Sequence, residues 1–388
     1  MNILFITRGF PSENDPMAGN YEATQAKAVV AKGHQVSVLA IQWRSILYTF
    51  GPKRLTHRVS DGVDVFERLG IVPIIPHLFN NYKLNRWVMR RTFRKQCQRY
   101  LKSHPKPDIV HVHSLYVAKY GIILKDEFGI PTVITEHWSG LNSGQINDDL
   151  LLEKDVYHHA DKVIVVSEAL KTAVKNYFGI DSVVINNMVD NRFFETQRRQ
   201  TKNKVFTFVT VGRLVSIKRF DMLVEAFSKM RQKTDVKLIV VGEGSERHKI
   251  EKQIEKYDFQ GKVIMVGMKK PEEVSEILCE SDCFVLSSHR ETFGIVLIEA
   301  MAKGLPVIST KCGGPEVFVN KENGLLVAPD NPLELADAMD YMVQHSEKYD
   351  SQLIRNYCYE RFSQEKIAEQ IVGIYQQVLN TKHSKSIL

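Results

Sequence analysis

Cysteine is scarce in this sequence of 388 residues: there are five, an odd number, scattered and without a Cys-x-x-Cys pair. This argues against a disulfide framework and a zinc site, and a reducing cytosol is the natural compartment. No apolar run approaches the ~18 residues of a membrane-spanning helix. The opening residues Met1 to Thr7 lack a basic segment and turn polar after a very short apolar stretch. They read as a strand and not as a signal peptide. Low-complexity tracts and short internal repeats are missing too. With 44% hydrophobic and 25% charged residues, the composition is that of an ordinary soluble globular chain, not a disordered or collagen-like one. The length exceeds what one core usually fills, which implies two or three domains of ~150 residues. A cytoplasmic protein is expected.

Acidic residues are absent from one long stretch. Lys83 to Lys106 holds nine Lys or Arg and no Asp or Glu, in a chain of net charge +7. That balance suggests anionic partners without requiring nucleic acid, and none is expected. The stretch has two readings: a solvated helix face, or a surface for acidic lipid or another anionic ligand. At helical spacing Trp87, Val88, Phe93 and Leu101 do not make one apolar stripe, which argues against a helix lying in a membrane. Peripheral, reversible attachment to an anionic surface, at the inner face of the plasma membrane, is the most this pattern allows.

Elsewhere short β-branched runs alternate with helical patterns. Strands are expected at 3–7, 36–41, 109–113, 132–135, 163–166 and 183–185, with helices at 22–32, 117–127 and 168–178 among them. The runs are continuously apolar, as in strands covered on both faces of a parallel sheet. Gly33 suits a helix C-cap. The polar stretch 195–204 (ETQRRQTKNK) breaks the series and reads as a linker. A second series follows, with strands at 206–211, 237–241, 263–266, 283–286 and 307–309. Its helices fall at 220–230, 246–257, 272–279 and 294–303, and beyond Pro332 the chain is helical nearly to its end. The expected fold is α/β, two doubly wound Rossmann-like domains at 1–194 and 205–362 facing each other across a cleft. A C-terminal helix at 363–380 is expected to pack back on the first. Ligands of such sheets bind beyond the carboxyl ends of the strands.

The most informative stretch runs from Ser287 to Val307. A strand ends, a polar loop carries Glu291, and a helix begins near Gly294. Free backbone N–H groups at a helix start, with a glycine allowing close approach, form a site for phosphate. Glu299 follows about two turns after Glu291, so both can face one ligand. Alone, the pair favours the plainer reading of a helix N-terminal carboxylate and a solvated helix residue. The longer string changes this. Glu-x7-Glu, then Ala-Met-Ala-x-Gly-x-Pro-Val, then Gly313-Gly314-Pro315-Glu316, resembles the family 4 glycosyltransferases, retaining enzymes of the two-domain GT-B fold. Val211-Gly212-Arg213-Leu214 with Lys218 is similar to that family's G-R-L…K segment, and Val240-Val241-Gly242-Glu243-Gly244 to its G-x-G turn. Residues 184–194 (VINNMVDNRFF) resemble its end-of-domain motif, and Asn323-Gly324-Leu325-Leu326-Val327 its N-G-hydrophobic run. The resemblance spans nearly the whole chain. Two departures stand out: Gly19 is a single glycine where the family often has a pair, and Asn186 and Met188 replace a usual proline and glycine.

The resemblance implies transfer of a sugar from a nucleotide sugar, expected to be a UDP-sugar, to a carbohydrate or lipid-linked acceptor in surface polysaccharide biosynthesis. Departure of a nucleoside diphosphate needs its charge neutralised by preorganised groups. Arg213 and Lys218, after the first strand of the second domain, are placed to do this. By resemblance Glu291 contacts sugar hydroxyls, and the amides of Phe293, Gly294, Ile295 and Val296 receive phosphate or sugar. Gly19 and Gly242 belong to the donor loops, and Glu299 holds the ribose, a role that also suits a carboxylate accepting two hydroxyl hydrogen bonds. His137 is implied beside the donor sugar, with His113 as the acceptor-side candidate; both end strands at a carboxyl edge. In such enzymes the leaving phosphate is thought to take the acceptor proton, so His137 need not be a base. No Asp-x-Asp, the metal-holding motif of the other major glycosyltransferase fold, is present. Neither metal nor cofactor is expected, the nucleotide sugar being a substrate. Asp61 and Asp64 read as a loop. Two rival readings are a nucleotide-sugar epimerase on the same fold and a catalytically silent nucleotide-sugar-binding protein. The Glu-x7-Glu string speaks against the first, and Glu291, Arg213, Lys218 and His137 together against the second.

Overall fold

The computed structural model describes residues 1–12, 18–45, 56–73, 82–138, 140–141, 154–195, 205–232 and 234–387. The chain divides into two compact units. Met1–Val166, Leu170–Ile185 and Ile367–Leu388 form one, and Ser167–Ala169 with Asn186–Lys366 form the other. Both are Rossmann-like, parallel-sheet α/β structures.

The first unit begins β1 (Asn2–Thr7), α1 (Asn20–Ala31), β2 (Gln35–Ser45), β3 (Thr56–Ser60), β4 (Val63–Val72) and α2 (Tyr82–Ser103). It continues β5 (Ile109–His113), α3 (Leu115–Phe128), β6 (Thr132–Glu136), α4 (Lys154–His159), β7 (Lys162–Val165), α5 (Glu168–Phe178) and β8 (Val183–Val184). The sheet order is β3-β4-β2-β1-β5-β6-β7-β8. The chain winds outward from β1 and returns beside it at β5, so the carboxyl ends of β1 and β5 mark the topological switch, where such sheets bind ligands. Every residue of β5 (IVHVH) and β6 (TVITE) is buried, so their polar side chains are enclosed together with the apolar ones. The edge hairpin of β3 and β4 is antiparallel and was not among the expected strands. Asp61 alone lies in its turn, at φ 49. Asp64 belongs to β4 and bonds His57 at 2.9 Å, so the loop expected to hold both aspartates holds one.

The second unit contains α6 (Arg192–Glu195), β9 (Phe206–Val211), α7 (Phe220–Lys229), β10 (Val236–Val241), α8 (Arg247–Lys256), β11 (Val263–Gly267) and α9 (Pro271–Cys279). Then come β12 (Cys283–Leu286), α10 (Ile295–Ala302), β13 (Val307–Thr310), β14 (Gly324–Val327), α11 (Pro332–His345) and α12 (Ser351–Phe362). The order β11-β10-β9-β12-β13-β14 puts the switch between β9 and β12. Phe208, Phe227, Leu238, Val285 and Met339 lie in one core cluster. Asn331 caps α11, accepting from the Glu334 amide at 3.1 Å, with Pro332 in the first turn where its missing N–H costs nothing.

The boundary of the units falls at Ile185/Asn186, ahead of the polar stretch, of which 196–204 lie outside the described residues. Side chains and backbone explain why 186–195 stays with the second unit. The Val189 amide donates to the Phe362 carbonyl at 2.8 Å. Lys303, only 1% exposed, reaches the Arg192 carbonyl at 3.3 Å, and Arg355 donates to the Phe194 carbonyl. The last helix, α13 (Gln364–Ile387), buries Ile367, Ile371, Tyr375 and Val378 along one stripe, and Ile367 onward counts with the first unit. All five cysteines are buried free thiols. No described helix is long and apolar enough to cross a membrane.

Candidate active site

In the second unit the site grows from two neighbouring strand ends. After β9 the chain passes Gly212, Arg213 and Leu214, makes a 3₁₀ turn at Ser216–Lys218, and enters the left-handed region at Arg219, φ 51. After β12 it runs through Ser287, Ser288 and His289 to Glu291. The two loops are joined by one backbone and one side-chain hydrogen bond: the His289 amide donates to the Ile217 carbonyl at 2.8 Å, and Ser287 Oγ to the Lys218 carbonyl at 2.9 Å. Lys218 Nζ thereby meets Glu291 Oε1 at 2.5 Å, and Ser288 Oγ donates to the same oxygen at 2.8 Å. A third loop, after β13, closes the arrangement, since the Glu291 amide donates to the Cys312 carbonyl at 2.9 Å.

Gly294 caps α10 at φ 92, and its carbonyl accepts from the Leu297 amide at 3.0 Å; the Ile295 and Val296 amides, at the helix start, have no acceptor within the helix. Phe293 is buried, and Gly314 lies so close to it that a Cβ would stand 2.5 Å from its Cα. The structure thus brings Lys218, Glu291, Phe293, Gly294, Ile295 and Val296 to one edge of the sheet. Arg213 starts on the same loop, but its side chain is exposed and forms no ion pair among the described residues. Gly242, at φ 143, packs its backbone on the loop after β9: a Cβ there would lie 1.9 Å from the Gly212 carbonyl oxygen.

Glu299 sits on α10 beside Asp190 and Arg192. Burial, reinforced by Asp190 and opposed by Arg192, pushes its carboxyl up to about 8. Arg192 is held by Asp190 through Nε at 3.0 Å and Nη2 at 3.2 Å, and also by Glu272. Sequence reasoning noticed this segment as a motif but assigned Asp190 and Arg192 no task.

The first unit holds the other candidates. Gly19 caps α1 at φ 62, with its Cα side against the Gly9 carbonyl: a Cβ would come within 2.1 Å of that oxygen. At the ends of β5 and β6, His113 Nδ1 and His137 Nε2 stand 3.3 Å apart with rings nearly parallel at 12°. Burial, with His111 and His137 nearby, holds His113 well below the ordinary imidazole range, so it is neutral. His111 is fixed on both nitrogens, by Tyr375 and Thr135, each at 2.6 Å. A residue the sequence did not single out is Glu136. Fully buried, it accepts from the His137 and Trp138 amides, both at 2.8 Å, and from Tyr157 Oη at 2.7 Å. Those bonds set the backbone that carries His137.

Two parallel-sheet units with a phosphate-suited helix start and a Lys–Glu pair define a class, the GT-B sugar transferases. The model described as Glycosyltransferase Family 4 matches residues 18–193, and that of Glycosyl transferases group 1 matches 191–357. The chain belongs to the family 4 glycosyltransferases, and it is an enzyme. It is 29% identical to N-acetyl-alpha-D-glucosaminyl L-malate synthase of Bacillus anthracis over 290 residues, 70% of this chain and 75% of that protein. Among solved structures, sucrose-phosphate synthase from Thermosynechococcus elongatus matches with a TM-score of 0.80 at 21% identity, covering 98% of this chain and 99% of that one. Anabaena HepE in complex with UDP and glucose matches with a TM-score of 0.74 at 20% identity, covering 97% of this chain and 99% of that one. The epimerase alternative gains no support from these relatives.

Proposed function

We propose that this enzyme transfers a sugar from a UDP-sugar, with retention of anomeric configuration, to a carbohydrate or lipid-linked glycan acceptor in surface polysaccharide assembly. The observation that carries the reading is the Lys218–Glu291 pair at 2.5 Å, at the β9/β12 switch and on the loop leading to Gly294. Each part has a task in such a transfer. The Ile295 and Val296 amides after Gly294 receive phosphate oxygens at the positive end of α10. Lys218, and Arg213 as it swings from solvent, neutralise the diphosphate as the glycosidic bond breaks; charge that is placed in advance costs no reorganisation. Glu291 accepts hydrogen bonds from the sugar, and Glu299 accepts those of the ribose. The leaving phosphate takes the acceptor proton on the same face, which asks of His137 only that it line the sugar. The UDP preference is supported by the nucleotide named with the Anabaena neighbour, and retention by the family's chemistry.

The test is a thermal-shift panel of UDP, GDP, ADP and their sugars. Ligand at 100 times its Kd adds about 2.7 kcal/mol, so the true nucleotide should stand out. Product from that donor should then keep its anomeric configuration by NMR coupling constants. Inversion, or no stabilisation by any nucleotide, would sink the proposal.

A further inference from the structure

The chemistry above makes no use of a groove between α2 and α3 in the first unit. It encloses about 440 Å³ and is lined chiefly by Arg86, Arg90, Arg91 and Arg94, with Trp87 and, from α3, Glu127. A volume of that size suits a small ligand group. Arg86, Arg90 and Arg94 recur every fourth residue and so lie one above another on the helix. Arg91 follows Trp87 by one turn, its guanidinium 5.4 Å from the indole centroid. Glu127 is the lining carboxylate, and Arg94 engages it at 2.7 Å. Among the described lining residues four guanidiniums accompany one carboxylate. Arg90 and Arg91 are exposed and make no ion pair among the described residues.

Arg90 stands one turn from both Arg86 and Arg94, and like charges at that spacing repel, which favours an anion beside Arg90. Guanidinium forks match phosphate oxygens two at a time. Beside them Trp87 is 57% exposed, an apolar ring with a polar edge of the type found where headgroup meets hydrocarbon. We infer that the groove recognises the diphosphate headgroup of a lipid-linked acceptor. Arg90 and Arg91 bind the diphosphate, and Trp87 covers the start of the lipid chain. The inference rests on the glycosyl-transfer reading for the word acceptor, and names that acceptor's chemical class.

The probe is farnesyl diphosphate, titrated calorimetrically into the full chain carrying Lys218→Ala, which weakens diphosphate binding at the donor loops, with UDP present at saturation to fill what remains of that site. The same chain with Arg90→Ser and Arg91→Ser is the comparison; both side chains are exposed, and an unchanged unfolding midpoint checks the fold. Farnesyl diphosphate should bind, inorganic pyrophosphate should compete, and the arginine changes should weaken binding at least about tenfold, since two charge-assisted contacts are lost. In an otherwise wild-type chain those changes should leave UDP affinity untouched. Equal affinity with and without the arginines overturns the proposal, as does equal binding of farnesol. So does attachment to phosphatidylglycerol vesicles that pyrophosphate fails to displace, which would mean general membrane adhesion. A chain that holds farnesyl diphosphate through Arg90 and Arg91 yet binds no uridine nucleotide would keep the groove and remove the UDP-sugar reading instead.

Discussion

The Lys218 ammonium is already engaged within the protein: it faces Glu291 at 2.5 Å, with that carboxylate 12% exposed. An incoming diphosphate must compete for the lysine and approach a second anion. Glu291→Gln should therefore bind UDP several-fold more tightly while transferring sugar more slowly, because the repulsion goes but so does the acceptor of sugar hydroxyls. Calorimetry with UDP alone, beside turnover with the full donor, separates the two effects. Weaker UDP binding in this variant would show that the carboxylate does not face the phosphates. Lys218→Ala, and equally Arg213→Ala, should lower turnover by roughly 10²–10³, the usual loss on removing one preorganised charge contact. Glu299 supports a different experiment. Its carboxyl is raised from 4.5 to about 8 by burial first and Asp190 second. The protonated form is thus favoured by folding, and this contribution is whole below pH 4.5 and lost as pH climbs through 8. The wild-type unfolding midpoint in urea should fall between pH 5 and 9, and Glu299→Gln should flatten that fall. Parallel curves for both proteins would remove Glu299 as the titrating group.

At the scale of elements, the loops that carry the chemistry are held by backbone contact more than by side chains. The turn after β10 lies on the loop after β9: Gly242 packs against Gly212, and Gly244 against Leu214, whose carbonyl oxygen would be 2.3 Å from an added Cβ. The Leu214 amide in turn donates to the Glu243 carbonyl at 2.9 Å. A side chain at Gly242 must move the strand end that leads to Lys218, and its φ of 143 disfavours any L residue. Gly242→Ala should cost more than about 2 kcal/mol in chemical unfolding and lower turnover beyond what the lost stability explains. A neutral substitution there would make the glycine dispensable for the loop. The edge hairpin shows the reverse case. Thr56 and His57 of β3 are exposed, and with no buried face the strand has no apolar period to announce it in the sequence.

For the whole molecule, family membership and the α/β architecture agree with the reading of the motifs. The leaving-group charge is assigned to Lys218 and Arg213, side chains from one loop of one unit. Activity should accordingly survive EDTA, and an assay before and after chelation, with Mg²⁺ or Mn²⁺ added back, measures it. Loss on chelation and recovery with the ion would transfer that role to a metal.

Much of the chain was legible without coordinates. Short runs rich in β-branched and aromatic residues announced parallel strands; β9 and β12 lie where the pattern put them, at Phe206–Val211 and Cys283–Leu286. The Glu291–Glu299 string and its companions carried the family, because such motifs are local and survive as spacing. Other features depended on strand order. Lys218 and Glu291 lie 73 positions apart and meet because β12 inserts beside β9, a choice made by the packing of whole strands and helices. Tertiary structure likewise brought His113 to His137, kept residues 186–195 with the second unit, and set the arginines of α2 opposite Glu127. Local periodicity is encoded in neighbouring residues, whereas these contacts are decided by which buried faces close against one another, and no short stretch of sequence contains both faces.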